Sequence, residues 1–139
     1  MPYLELPDTS DMEESVRIQL EAVKKRTGEV GDMARILSLR PDIYHATTDL
    51  FRALMVNKSE LSTAVKESIA ILVSKQNSCE MCVGEHQRIA RMLGMTENQI
   101  DAVLAGIEHM EIPDQEKTLM EFCLKSAGRE NYKMTQKDI

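Results

Sequence analysis

Residues 66–87 read KESIAILVSKQNSCEMCVGEHQ, and the rest of the chain can be read outward from this stretch. Its first half lies in a helix expected over 61–75. There Leu61, Ala64, Val65, Ser68, Ile69, Leu72 and Val73 recur at i, i+3, i+4 spacing, with Ser68 the only polar member of the stripe. Its second half opens a helix over 79–93, with Cys79, Cys82, Val83, His86, Ile89, Ala90 and Leu93 on one side. Glu80, Gly84, Glu85, Gln87, Arg88 and Arg91 fall on the other. Lys75-Gln76-Asn77-Ser78 is the polar break between them, with Asn77 or Ser78 expected to cap the second helix.

The chemistry concentrates in four residues. Cys79 and Cys82 are three apart, so at a helix start their sulfurs share a face within bridging reach. The positive end of the helix dipole and its unpaired amides favour a thiolate there. His86 follows Cys82 by four residues and shares its face, so it can take the Cys82 proton or stand beside the thiolate as imidazolium. This spacing makes Cys82 the attacking sulfur and Cys79 the resolving one.

Glu67 has two readings. It shares a face with Thr63, Ala70, Ile71 and Ser74 rather than with the solvated Ser62, Lys66 and Lys75. In those small and apolar surroundings a desolvated carboxylate would complete a proton relay with His86. Otherwise it is an exposed helix acid flanking the core. The sulfurs also have competing readings. Cys79, Cys82 and His86 could be zinc ligands, with Glu67 or a distant His as the fourth, although the usual second paired motif is missing. They could equally be inert buried cysteines beside a satisfied core histidine. Cys123, on a helix core stripe, and His109, near a helix end, are read as inert.

Outward from this centre the chain reads as helices alone. Residues 1–9, with Pro2 and Pro7, form an extended arm. Ser10-Asp11-Met12-Glu13 fits a capping box for a helix to about Arg26, with Met12, Val16, Leu20 and Val23 inward. A short helix from Asp32 to about Leu39 stops before Pro41. Pro41 opens another, whose expected buried face is Ile43, Ala46, Thr47, Leu50, Leu54 and Met55. Tyr44, His45 and Phe51 on it are candidate pocket-wall residues, with plain packing as the competing reading. Gly94 fits a left-handed helix terminator, and Thr96-Glu97-Asn98-Gln99 a second capping box, with Met95 stapled to Ile100. The next apolar faces are Ile100, Val103, Leu104 and Ile107, then Leu119, Met120, Phe122 and Cys123 in a helix over 114–127. Residues 134–138 read as the opening of a further helix, a sign of a truncated chain or of a terminus completed by another subunit. No strand-like alternation appears, so the fold class is all-α in a single domain over 1–139.

Composition narrows the function classes. A net charge of −6 argues against nucleic acid, which needs clustered Lys and Arg. No apolar run approaches the ~18 residues of a membrane span, and none resembles a signal peptide. Three cysteines make an odd, small count, unlike a secreted disulfide scaffold, so a cytoplasmic protein with reduced resting thiols is the simpler reading. Ten methionines against two Phe and three Tyr point to a soft core or oligomer surface.

On these residues the chain resembles the AhpD-like branch of the carboxymuconolactone decarboxylase superfamily. The resemblance is carried by Leu61-Ser62, Lys66-Glu67, Ile69-Ala70, Val73-Ser74 and Asn77, then Cys79-x-x-Cys82-Val83-x-x-His86 and Leu93-Gly94. Upstream, Arg26-Thr27-Gly28 and Leu39-Arg40-Pro41 resemble the peroxidase-related members, and the likeness spans about residues 4–127. It implies an AhpD-like helical bundle assembled as a homo-oligomer, commonly a trimer or hexamer. It implies a peroxidase or disulfide oxidoreductase that reduces hydroperoxides or disulfides through the cysteine pair, with Glu67 and His86 relaying protons and the second cysteine attacking. It also implies lipoyl-bearing proteins or a peroxiredoxin as redox partners. No cofactor and no metal are expected. A lactone-decarboxylating lyase is the alternative by fold analogy, though there the cysteines have no task. Two departures stand out. Met81 occupies a position that is often His or Tyr in relatives, and the later helices of longer relatives are missing.

Overall fold

The structure, a computed structural model, describes residues 5–138. Pro2 of the expected arm and Leu4, where the resemblance begins, lie outside the described residues. Among the described residues the regular elements are seven α-helices and several short turns, with no strand. The chain divides into two compact units, Met1–Asn57 and Lys58–Ile139.

The first unit holds α1 (Glu14–Thr27), α2 (Asp32–Leu37) and α3 (Pro41–Phe51), the last running into a π-helical turn at Arg52–Val56. Its core is Met12, Val16, Leu20 and Tyr44, with Val30, Ala34 and Leu37 packed against them. The expected capping box at Ser10 does not form. Thr9–Asp11 is instead a separate 3-10 turn capped by Asp8, and Met12 is extended. Glu13 caps α1 by accepting the Ser15 N–H at 3.2 Å. The break at Met12 is what lets this residue turn into the core, where it is buried. Gly28 ends α1 at φ +84°, a conformation that costs a glycine little.

The stripe expected to be buried on α3 is the second correction. Tyr44 points inward, whereas Ile43, Leu50 and Leu54 are exposed, along with Ala46 and Thr47. Periodicity locates an apolar face but not what covers it. Here the bulky Tyr44, one position off the stripe, fills the space beside Val16 and Leu20.

The second unit is built round α4 (Thr63–Gln76), which packs against α5 (Glu80–Met92), α6 (Glu97–Ala105) and α7 (Asp114–Ala127). Ser62 caps α4, its hydroxyl accepting the Val65 N–H at 3.2 Å. Val65, Lys66, Glu67 and Ser68 are all buried, a full turn of consecutive positions. A central helix has no solvated side along such a turn, which is why Lys66, expected in solvent, is buried. Leu61 and Ala64, before and at the first turn, are exposed instead. The core is Ile71, Leu72, Ala90, Ile100, Val103 and Met120.

The joints follow the sequence closely in places. Gly94 is left-handed at φ +91°, and the capping box between Thr96 and Gln99 forms with both of its bonds. Met95 packs against the core cluster that contains Ile100, as the staple requires. Residues 134–138 form only a 3-10 turn at Gln136–Asp138 rather than a helix start.

Candidate functional site

The site begins at the joint between α4 and α5. Ser78 is left-handed at φ +55°, which costs a non-glycine residue on the order of 1 kcal/mol. With it the Ser78 N–H donates to the Lys75 carbonyl and the Cys79 N–H to the Ser74 carbonyl, each at 3.0 Å. This pair of bonds is a Schellman closure of α4. Cys79 then serves as the N-cap of α5, its Sγ accepting the Cys82 N–H at 3.4 Å. So Cys79, not Asn77 or Ser78, is the cap. The correction has a simple origin: a cysteine sulfur is an unusual cap, and the Ser78 turn moves the helix start one residue on.

Cys79 and Cys82 form a disulfide, with Cα atoms 5.3 Å apart. Both sulfurs therefore sit in the first turn of α5, Cys79 at its edge. His86 follows one turn beyond Cys82, half-buried. Its Nδ1 lies 2.8 Å from Oε2 of Glu67, across the α4–α5 contact. Glu67 is 1% exposed, so the exposed-acid reading fails. When Glu67 is the carboxylate, Nδ1–H is the donor of this bond and Nε2 faces elsewhere, open to proton exchange. Glu85, the acid between Cys82 and His86 in sequence, is taken up by Arg88 in two bonds at 3.1 and 2.6 Å. The Arg88 guanidinium holds the Glu85 carboxyl below the usual carboxylate range.

The structure pairs the four residues singled out in the sequence two by two, Cys79 with Cys82 and His86 with Glu67, with His86 one helical turn beyond Cys82. Met81 is half exposed in the first turn of α5. Among the described residues no cluster of three or more His, Cys, Asp or Glu side chains is placed to hold a metal ion. Tyr44 is a core residue of the first unit, and Phe51 is exposed. His45 engages Ser15 at 2.7 Å and Gln19 at 3.5 Å, and His109 is exposed beside Glu108. Cys123 is half-buried and unpaired, and burial pushes its thiol pKa up.

Sequence reading missed a groove of about 410 Å³ beside the disulfide, lined by Cys79, Val83, Gly84, Gln87, Leu104 and Lys75 among others. The Lys75 ammonium donates to the Leu104 carbonyl along one wall. The available signal was Gly84, a glycine inside a helix.

Comparison with known proteins bears on the fold. No curated protein matches the chain. One similar solved structure is the alkylhydroperoxidase AhpD core of an uncharacterized peroxidase-related protein from Ralstonia eutropha JMP134. It is 24% identical with a TM-score of 0.85, over 97% of this chain and 70% of that one. Another is an uncharacterized peroxidase-related protein from Silicibacter sp. TM1040, 21% identical with a TM-score of 0.86 over the same shares. At these identities the likeness establishes an AhpD-like helical fold. Among the described residues, no helix is long and apolar enough to cross a membrane. The carboxymuconolactone decarboxylase family model matches residues 41–117, more than half of the 139 residues and the span that carries Glu67, both site cysteines and His86, so the chain belongs to the carboxymuconolactone decarboxylase family.

Proposed function

We propose that this chain is a thiol-dependent peroxidase and disulfide oxidoreductase working through Cys79 and Cys82. The observation that carries the reading is a disulfide in the first turn of α5, one turn before a histidine bonded to a buried glutamate. The Cys82 thiol gives its proton to His86 Nε2, and the thiolate attacks the outer peroxide oxygen. The O–O bond breaks, Cys82 becomes a sulfenic acid, and the alkoxide leaves as alcohol with the proton from His86. Cys79 then attacks the Cys82 sulfur, the disulfide forms and water departs. Hydroperoxide and two thiols have become alcohol, water and one disulfide. Glu67 fixes the tautomer of His86 and neutralises the imidazolium while the proton is held.

Thiol counting tests this directly. The reduced chain carries three titratable thiols. Addition of a hydroperoxide should leave one, Cys123, which reacts slowly with alkylating reagents at neutral pH because burial raises its pKa. Three thiols remaining after oxidant would end the redox reading.

The same reading includes self-association, with a lipoyl-bearing protein or a peroxiredoxin as redox partner. Self-association is supported by the exposed apolar residues Ile43, Leu50 and Leu54 along α3, a face of the kind assembly covers. Light scattering should give a mass of several chains, and Leu50→Lys with Leu54→Lys should shift it toward one. A single-chain mass for the unaltered protein would refute assembly.

A further inference from the structure

We propose that Gly84 keeps open the path by which a small aliphatic dithiol reaches the oxidised site, and that the sulfur it attacks is Cys79. The inference rests on the redox reading above and adds the face and the sulfur by which the disulfide is returned to thiols.

The argument starts from an unexplained glycine. Gly84 lies inside α5, where glycine is less stable than alanine by about 1 kcal/mol. Its φ is not positive, so the backbone does not demand it. A Cβ built there meets nothing within 4 Å, so packing inside the chain does not demand it either. What Gly84 borders is the groove, and a side chain at this position would fill it.

The groove also distinguishes the two sulfurs. Cys79 lines it, whereas Cys82, His86 and Glu67 do not. At about 100° per residue, Glu80, Gly84 and Gln87 lie round the helix from the face shared by Cys82 and His86, with Val83 between the two. Thiol–disulfide exchange requires the incoming, central and leaving sulfurs in line. A thiolate arriving through the groove meets Cys79, the sulfur of the pair that lines it. It bonds to Cys79 Sγ, the Cys79–Cys82 bond breaks, and its electron pair leaves on Cys82. The attacking thiol has released its proton to solvent, and the Cys82 thiolate takes one back from solvent by way of His86 Nε2. The second thiol of the reductant then attacks its own sulfur in the mixed disulfide, closing a cyclic disulfide and releasing Cys79 as a thiol. One dithiol is oxidised for each disulfide reduced.

The test uses the oxidised full chain with dithiothreitol as reductant. Gly84→Leu should be reduced about ten-fold more slowly than the unaltered protein and Gly84→Ala by less, since the rate follows access to the attacked sulfur. Circular dichroism should show both variants melting no lower than the unaltered chain. Independently, brief exposure of the oxidised unaltered protein to 2-mercaptoethanol, followed by acid quenching and peptide mass mapping, should find the adduct on Cys79. A folded Gly84→Leu that is reduced at the unaltered rate, or an adduct on Cys82, overturns the proposal. If the unaltered chain forms no disulfide that dithiothreitol reverses, the redox reading itself has failed, and that outcome is distinct from both.

Discussion

Cys82→Ser, reduced and mixed with a hydroperoxide, should turn over at least ~10³-fold more slowly than the unaltered chain, because a serine hydroxyl is not a nucleophile toward peroxide oxygen. Cys79→Ser should also fail to cycle, but differently. Its Cys82 thiol can still be oxidised once, so rapid mixing should show a burst of one peroxide consumed per chain, followed by arrest at the sulfenic acid. The contrast matters because the geometry offers each sulfur an advantage. Cys79 is the N-cap of α5 and accepts the Cys82 N–H, a bond that favours a thiolate at Cys79. Cys82 stands one turn before His86, which can take its proton. A burst in Cys82→Ser and none in Cys79→Ser would exchange their roles. Full turnover in both would remove the pair from the chemistry.

Glu67→Gln should lower kcat by about 10²-fold and leave KM within about two-fold, the pattern of a group that acts only as charge develops. Glutamine keeps the shape and can still accept from His86 Nδ1–H, so the fold and the tautomer survive. What is lost is the negative charge that neutralises the imidazolium while it carries the Cys82 proton. Glu67→Asp, which keeps the charge on a shorter arm, should recover part of the rate. Glu67→Ala should in addition lower stability by roughly 1–3 kcal/mol, because it empties a buried site and strips the Nδ1 donor of its acceptor. Glu67 is a positioning residue in this scheme, and an unchanged kcat in Glu67→Gln would take it out of the relay.

The legibility of the fold varied with how each element is used. The helix over 114–127, the left-handed Gly94 and the Thr96–Gln99 cap were all readable, because each is fixed by residues within a few positions of one another. Reading failed where burial depends on partners distant in sequence. Lys66 is buried because α4 is covered on several sides, and the apolar stripe of α3 is exposed because Tyr44 fills the core in its place. Ser10 lost its cap role to Glu13 because burying Met12 required a break in the chain.

The same division holds at the stretch 66–87. The sequence alone determined that two thiols and an imidazole fall on one helical face, since the spacings of three and four residues fix this for any α-helix. It also placed Glu67 one helix earlier but left two readings of it. Only the tertiary structure decided between them, by packing α4 against α5 so that a buried carboxylate meets His86 at 2.8 Å. The groove beside Cys79 was likewise beyond the sequence. One wall comes from α5 and another from Leu104 of α6, and no local spacing specifies how far apart two packed helices leave their side chains.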